Sequence, residues 1–410
     1  MLKLNKIFSP FVLLCLLILT SALALPDKIV GRNLFYISTV FLIISYILNY
    51  KKIVIKKENI LLFLSFLAVS VSQFIWVKLY PPVSSEYIMA NSNYPRTALY
   101  LFIGSFIVLL SPSLLNLVQY NKKNCKIVIY VALISLLYMG GKGLFYMISD
   151  PTGRLRISSA ATMSAYLFML QSLFTLYIIN IMSFRNNILY VGIIFIFSFI
   201  VILCTQTRAV IILYPVVVLL YFIVNRQFSF KKLIFSGVMV AALGYLFIGH
   251  FFQSVEDRMY SAYHEISGYS ENNNSSFGAR ITMWKSGLYV AKMHPTGQST
   301  DSRLQEVNEY ISQYENGNPE AIRNLTYHLH NDIIESASLQ GIWGVMALIF
   351  LFISMNIFFY YKGTWLSAFP LLILAVSGVS MVDTLFIDDR FIIMFCILTV
   401  LFTTRIKSKS

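Results

Sequence analysis

The sequence predicts an all-α polytopic membrane protein: about twelve transmembrane helices, with one large, partly helical loop on the outer face before the last three spans. Composition is the first reason. Hydrophobic residues make up 57% of the 410 residues and charged residues only 12%, against about 45–50% and 25% in soluble domains. So few charges cannot cover that much apolar surface in water, and a disordered chain would be poor in apolar residues. The second reason is the recurrence of apolar runs near the span length, and the third is where the charges fall.

A spanning helix needs about 20 mostly apolar residues. Such runs lie near 8–25, 34–50, 60–77, 98–118, 127–147, 160–182, 188–204, 209–225, 233–252, 340–361, 365–382 and 391–404. The first follows Lys3 and Lys6 and ends in Ala22-Leu23-Ala24, imitating a signal-peptide cleavage site. With so many spans after it, an uncleaved first helix is the simpler reading. If the N-terminus lies inside, the inner connections hold 17 Lys and Arg against one acid, Glu58. That bias follows the positive-inside rule and puts both termini on the inner side. The net charge of +14 is therefore mainly a topology signal and gives nucleic-acid binding no support.

The chain divides into 1–252 (nine spans), 253–339 (the outer loop) and 340–410 (three spans and an inner C-terminus). Long connections inside compact proteins usually carry function, and this loop is the one excursion large enough to build a cap. Ile281, Trp284 and Leu288 recur at helical spacing within 277–293, and Pro295-Thr296-Gly297 stops that helix. A polar stretch fills 301–323, and a second helix starts near His330 and runs into the tenth span. Asn272-Asn273-Asn274-Ser275-Ser276 reads as a flexible connector.

The four cysteines (Cys15, Cys125, Cys204, Cys396) show no CxxC spacing, so neither a disulfide framework nor a zinc site is indicated. GxxxxGK[ST], GxGxxG and HExxH are all missing from the sequence, and no cofactor is expected. An enzyme on the outer face also lacks ATP, so its substrate must bring the energy of the new bond.

Several residues carry candidate chemistry. Arg208, in the tight turn between two apolar runs, either snorkels to lipid headgroups or clamps an anion with its fork of donors. Arg280, early in the loop helix, either pairs with a loop acid or completes an anion site. Trp284, one turn later, packs or stacks on substrate. His330 is either structural or a general base, with an unperturbed pKa of about 6.5 suited to taking a hydroxyl proton. A metal at His328-x-His330-x-Asp332 is the weaker alternative, since that spacing converges only in an extended strand. The 383–390 turn packs Asp383, Asp388, Asp389 and Arg390 together: a solvated turn, a brace for a catalytic His or Arg, or a contact to sugar hydroxyls. Arg96, Lys142, Arg154 and Arg156 either anchor at the interface or line a path for an anionic headgroup.

His330-Asn331, nine residues, then Gly341-Ile342-Trp343-Gly344 resembles the H-[NSQ]-x9-G-x-x-[GTY] signature of bacterial O-antigen ligases, part of a wider ligase and polymerase superfamily. Gly278-Ala279-Arg280, Trp284, Pro295-Thr296-Gly297 and the Arg208 turn are similar to that superfamily's sequences. Gln298-Ser299 departs from it, standing where many relatives carry a second glycine. The resemblance implies a glycosyltransferase of lipopolysaccharide biosynthesis, working at the periplasmic face of the bacterial inner membrane. It would transfer O-antigen from undecaprenyl diphosphate to a sugar hydroxyl of the lipid A core, without a metal and with inversion. The family's catalytic histidine maps onto His330 and its essential arginines onto Arg208 and Arg280. Asn331, Asp389, Arg154 and Arg156 join Trp284 as expected substrate contacts. The alternatives are an O-antigen polymerase of the same superfamily and a transporter or flippase of lipid-linked sugars. A transporter built from inverted repeats would carry matching broken helices in both halves, and the one-sided loop breaks that symmetry.

Overall fold

The computed structural model describes residues 7–81, 88–118, 120–149, 153–181, 187–224, 260, 273–361 and 369–404. Helices α1 (Pro10–Ala24), α2 (Lys28–Asn49), α3 (Lys57–Leu79), α4 (Ile88–Leu115), α5 (Lys122–Ser149), α6 (Ala161–Ile181), α7 (Asn187–Thr205) and α8 (Arg208–Val224) form the first part of a bundle. The cap comprises α9 (Ser276–Met293), α10 (Thr300–Tyr314) and α11 (Pro319–Leu325). The bundle is completed by α12 (Asp332–Tyr361), α13 (Phe369–Ser380) and α14 (Asp389–Thr403). There is no strand among the described residues. Eleven of the twelve expected apolar runs fall on these helices, and the run at 233–252 lies outside the described residues.

Six of the helices (α2 to α6, and α12) are long and apolar enough to cross a membrane, and α1, α7, α8 and α13 are shorter apolar helices. The chain is a polytopic membrane protein. Ile37, Ile47, Ile75, Ile134 and Ile148 are each more than half exposed on the outside of the bundle, a pattern costly in water but natural against hydrocarbon. At the centre α6 is buried on nearly every face. Around it the core runs from Leu13 in α1 through Phe66, Phe168 and Phe174 to Phe391 and Phe402 in α14.

Local chemistry sets the helix ends. Ser9 accepts from Val12 N–H ahead of Pro10, and Asp27 accepts from the Ile29 and Val30 N–H groups, satisfying donors that a helix start leaves unpaired. Asp388 does the same for α14, accepting from the Arg390 and Phe391 N–H groups. Between α7 and α8 the turn is only two residues long, with Gln206 in the left-handed region (φ 54°).

The cap differs from expectation in its middle. Where the composition suggests a polar stretch at 301–323, α10 and α11 form. Ser299 caps α10, and Leu304, Val307 and Ile311 supply a narrow buried stripe at i, i+3 and i+7. Asn318 caps α11, with Pro319 in its first turn. These residues join Ala279, Met283, Val290, Ala321, Leu325, Leu329 and Ile334 in a separate small core. The expected connector is also firmer than its composition suggests. Asn273 O accepts from Asn318 Nδ2 at 2.6 Å, and Ser275 caps α9 by accepting from Gly278 N–H. Gly278 is required there, because a Cβ would sit 2.2 Å from Asn273 O.

The second cap helix enters the bundle as expected, and α12 changes direction at Gly341 (φ 65°, ψ −152°). The turn after α9 locks onto this kink. Gln298 N–H donates to Leu339 O at 2.9 Å, and Ile342 N–H donates to Pro295 O at 2.9 Å. Gln298 gives its side-chain Nε2 to Ser338 O, and its own carbonyl accepts from Trp76 Nε1 of α3. A Cβ at Gly341 would stand 2.3 Å from Pro295 O, in a backbone region that only glycine adopts freely. Gly341→Ala is therefore expected to destabilise the protein by about 1–3 kcal/mol from backbone strain alone, read as a lower unfolding temperature in detergent.

Candidate active site

The cap meets the bundle at the end of α3, where Trp76 Nε1 donates to Gln298 O, and at the turn after α13, where His330 and Asn331 reach Asp383 and Met381 O. The His330 backbone is left-handed (φ 53°), an uncommon state for a residue with a side chain, and four contacts hold it. His330 N–H donates to His328 Nδ1 at 3.3 Å, His330 O accepts from Trp284 Nε1 at 3.2 Å, and Leu329 N–H donates to Glu335 Oε2 at 2.8 Å. The fourth is the imidazole itself, whose Nδ1 lies 3.0 Å from Asp383 Oδ1.

Asp383 lies in the turn between α13 and α14 and is buried. Burial pushes its carboxyl upward, but the hydrogen bond from His330, the neighbouring imidazole of His328 and the Thr384 N–H outweigh that and hold it well below the usual range. An ionised carboxylate only accepts, so His330 Nδ1 carries the proton in this bond. Burial and the adjacent His330 lower the pKa of His328 to about 4. His328 is thus neutral near pH 7, as its Nδ1 must be to accept His330 N–H. The turn is fixed from α12: Asp332 accepts from Phe386 N–H at 3.0 Å and from Ser380 Oγ at 2.6 Å.

The arginines approach from two sides. Arg154 donates from Nε to Thr205 O at 2.9 Å and from a terminal nitrogen to Thr207 Oγ1 at 3.2 Å. This ties the 153–156 segment to the turn in which Arg208 opens α8. Arg280 is half-buried in the second turn of α9. The Tyr166 hydroxyl at the start of α6 faces Asp383, with Arg280 and Arg154 both in electrostatic range of it. Arg154 and the exposed Arg156 line a cavity of about 420 Å³ with Tyr146, Met147, Ser158 and Ser159.

The structure therefore sets His330 against Asp383, with Trp284 on the His330 carbonyl, Arg280 and Arg154 in electrostatic range of Tyr166, and Arg208 one residue beyond Arg154's threonine partner. Trp284 serves here by holding the His330 carbonyl. Asn331 spends its side chain on structure: Oδ1 accepts from the Ile333 and Ile334 N–H groups, and Nδ2 donates to Met381 O. Asp389 sits apart, paired with Lys28 of α2 at 2.8 Å. Of the three acids in the 383–389 turn, Asp383 is the one that braces the histidine. Sequence reasoning groups it with its neighbours and has no signal for Tyr166. As for metal ligands, His328, His330 and Asp383 are the set among the described residues whose ligand atoms all lie within 4.8 Å of one another. Of these, His330 Nδ1 pairs with Asp383 Oδ1, and His328 Nδ1 accepts the His330 backbone N–H.

Fold and site together define a polytopic membrane protein in which a small helical cap seats a histidine–carboxylate pair beside a group of arginines. Residues 193–349 match the family described as O-antigen ligase. The O-antigen ligase of Escherichia coli (strain K12) is 25% identical over 372 residues, covering 88% of this chain and 85% of that protein. An uncharacterized protein of Haemophilus influenzae is 30% identical over 154 residues, 36% of this chain and 37% of that one. The family match and the Escherichia coli relative both support a place in the O-antigen ligase superfamily.

Proposed function

We propose that the protein is an O-antigen ligase that moves O-antigen from undecaprenyl diphosphate to a sugar hydroxyl of the lipid A core. One observation carries this most directly: His330 Nδ1 lies 3.0 Å from Asp383 Oδ1, a contact that favours the tautomer in which Nε2 can act as a base. His330 Nε2 removes the acceptor hydroxyl proton, and the oxygen attacks the anomeric carbon. The bond from that carbon to the diphosphate oxygen breaks, and its electron pair leaves with the diphosphate. Arg208 and Arg280 bind the departing charge, a role in which preorganised donors stabilise the transition state strongly. Arg154 and Arg156 hold phosphate on the lipid substrates at the pocket they line. Attack opposite the leaving group inverts the configuration, and the donor carries its own bond energy, so no nucleotide is needed.

In this reading the bundle spans the bacterial inner membrane twelve times with both termini cytoplasmic. Residues 253–339 form the periplasmic catalytic loop between spans 1–9 (residues 1–252) and spans 10–12 (residues 340–410). Complementation of a ligase-deficient bacterium tests the reading. A restored lipopolysaccharide ladder on lipid A core supports it. Accumulation of undecaprenyl-linked polymer with no chain on lipid A would favour the polymerase reading instead.

Two further outcomes are expected. Arg280→Lys should lower turnover about 10–100-fold, because a point charge replaces a bidentate fork and forfeits a charge-assisted hydrogen bond. Transfer in purified membranes at unchanged rate would reduce Arg280 to a surface residue. EDTA should leave the rate intact, and loss of activity restored only by a divalent ion would overturn the metal-free mechanism.

A further inference from the structure

A second carboxylate grips the His330 loop by its backbone, where Asp383 grips it by the imidazole. Glu335, in the first turns of α12, is fully buried and is shared by three parts of the molecule. Its Oε1 accepts from Arg303 of α10 at 2.7 Å and from the Tyr94 hydroxyl of α4 at 3.1 Å. Its Oε2 accepts the backbone N–H of Leu329 at 2.8 Å. Arg303 is as buried as its partner, with side-chain exposures of 4% and 1%. Such a pair is costly to desolvate and is weak evidence for stability. What it does here is join the cap to the bundle at the residue that precedes His330.

We infer that Glu335 is a positioning residue for the transfer reaction: its Oε2 bond to Leu329 N–H holds His330 in its left-handed conformation, so that Nε2 faces the acceptor. Loops carry their own strain only when the surroundings over-determine them. Leu329 N–H is buried, and without an acceptor it would turn to find one, carrying His330 with it. The Arg303 and Tyr94 bonds to Oε1 fix the rotamer from which Oε2 reaches that amide. The inference rests on His330 being the base, as proposed above.

Three variants separate positioning from mere structure. The first double variant, Arg303→Met with Glu335→Gln, removes both charges but keeps an oxygen for Leu329 N–H. The second, Arg303→Met with Glu335→Leu, removes the charges and the acceptor together. Both are apolar or neutral replacements of similar size, which buried ion pairs commonly tolerate. Glu335→Gln alone keeps the acceptor and leaves Arg303 unpaired. In detergent-purified protein, kcat, KM and hydrogen exchange over residues 327–333 would be measured against wild type and His330→Ala.

The glutamine double variant is expected to keep kcat within about threefold. The leucine double variant is expected to lose kcat by about 10²-fold, the scale of a misplaced catalytic group, with KM little changed and faster exchange at 327–333. A folded leucine double variant with wild-type kcat overturns the inference, as does equal loss of kcat in both doubles. Should the leucine double variant fail to fold, Glu335→Gln alone decides: retained kcat with a lowered melting temperature supports the Leu329 bond, and lost kcat in the folded protein overturns it. If His330→Ala itself remains active, the base assignment fails first, and that result is distinct from the others.

Discussion

Replacing His330 with alanine is expected to lower kcat by about 10²–10⁴-fold, the usual contribution of a positioned general base, while the protein still inserts and folds. The fold should survive because the imidazole packs no large core: its backbone carbonyl bond to Trp284 and its N–H bond to His328 remain available to alanine. Alanine is less at ease than histidine at φ 53°, so a modest loss of stability is expected and should be measured beside the rate. His330→Asn discriminates further, since it suits the left-handed region but carries no base. Both variants should fail to restore a lipopolysaccharide ladder in cells while reaching the membrane at wild-type level. A ladder of wild-type intensity from either one would remove His330 from the chemistry.

The membrane architecture is legible in the sequence because its signal is summed over long stretches. Eleven apolar runs lie on helices, most of them close to their expected limits; α4 and α12 start well before their runs, and the second displacement is informative. The tenth run begins at residue 340, yet its helix starts at Asp332, because the apolar part is preceded by an arm whose residues face the cap. Gly341 marks the join between arm and span, and its φ of 65° explains why glycine stands there. The cap's α10 escapes detection for the opposite reason. Its buried stripe is only Leu304, Val307 and Ile311 within fifteen mostly polar residues, too thin a signal when the rest of the chain is so apolar.

At the site, His330, Trp284 and Arg280 are legible because they fall within one polar loop and in motifs that resemble a known family. Asp383 is visible only as part of an acidic turn, since its meaning depends on a contact 53 residues away in the chain. Asp389 looks equivalent in sequence, but the helical turn of α14 aims it at Lys28. Tyr166 and Glu335 carry no local mark at all. A tyrosine at the start of an apolar helix and a glutamate near a helix N-terminus are ordinary in sequence, and only the packing of α6 and α12 under the cap makes them partners of the histidine loop.

Asp383→Asn is the change that best separates orientation from proton transfer, and it is expected to lower kcat by about 10³–10⁴-fold, as loss of a histidine-orienting carboxylate does in catalytic triads. Asparagine is nearly isosteric, but Thr384 N–H and His330 Nδ1 both meet the one oxygen Oδ1 in the wild type. With its oxygen there asparagine offers His330 only an uncharged acceptor; with its amide nitrogen there it gives up the Thr384 bond, donates to His330 Nδ1 and stabilises the tautomer with the proton on Nε2, the wrong nitrogen for a base. The positive charge that develops on His330 during transfer would also lose its counter-ion. The pH dependence of stability follows from the same bond. Because the Asp383 carboxyl is held below its usual range, its contribution is present above the unfolded value of about 3.9 and is lost as pH falls through the folded one. Asp383→Asn should therefore flatten the acid side of the stability profile while abolishing turnover. Asp383→Glu keeps the charge but lengthens the side chain, and partial activity there would show that the carboxylate, held at the right distance, is what His330 requires. Full activity of Asp383→Asn would mean that His330 finds its tautomer without help and that the pair is structural.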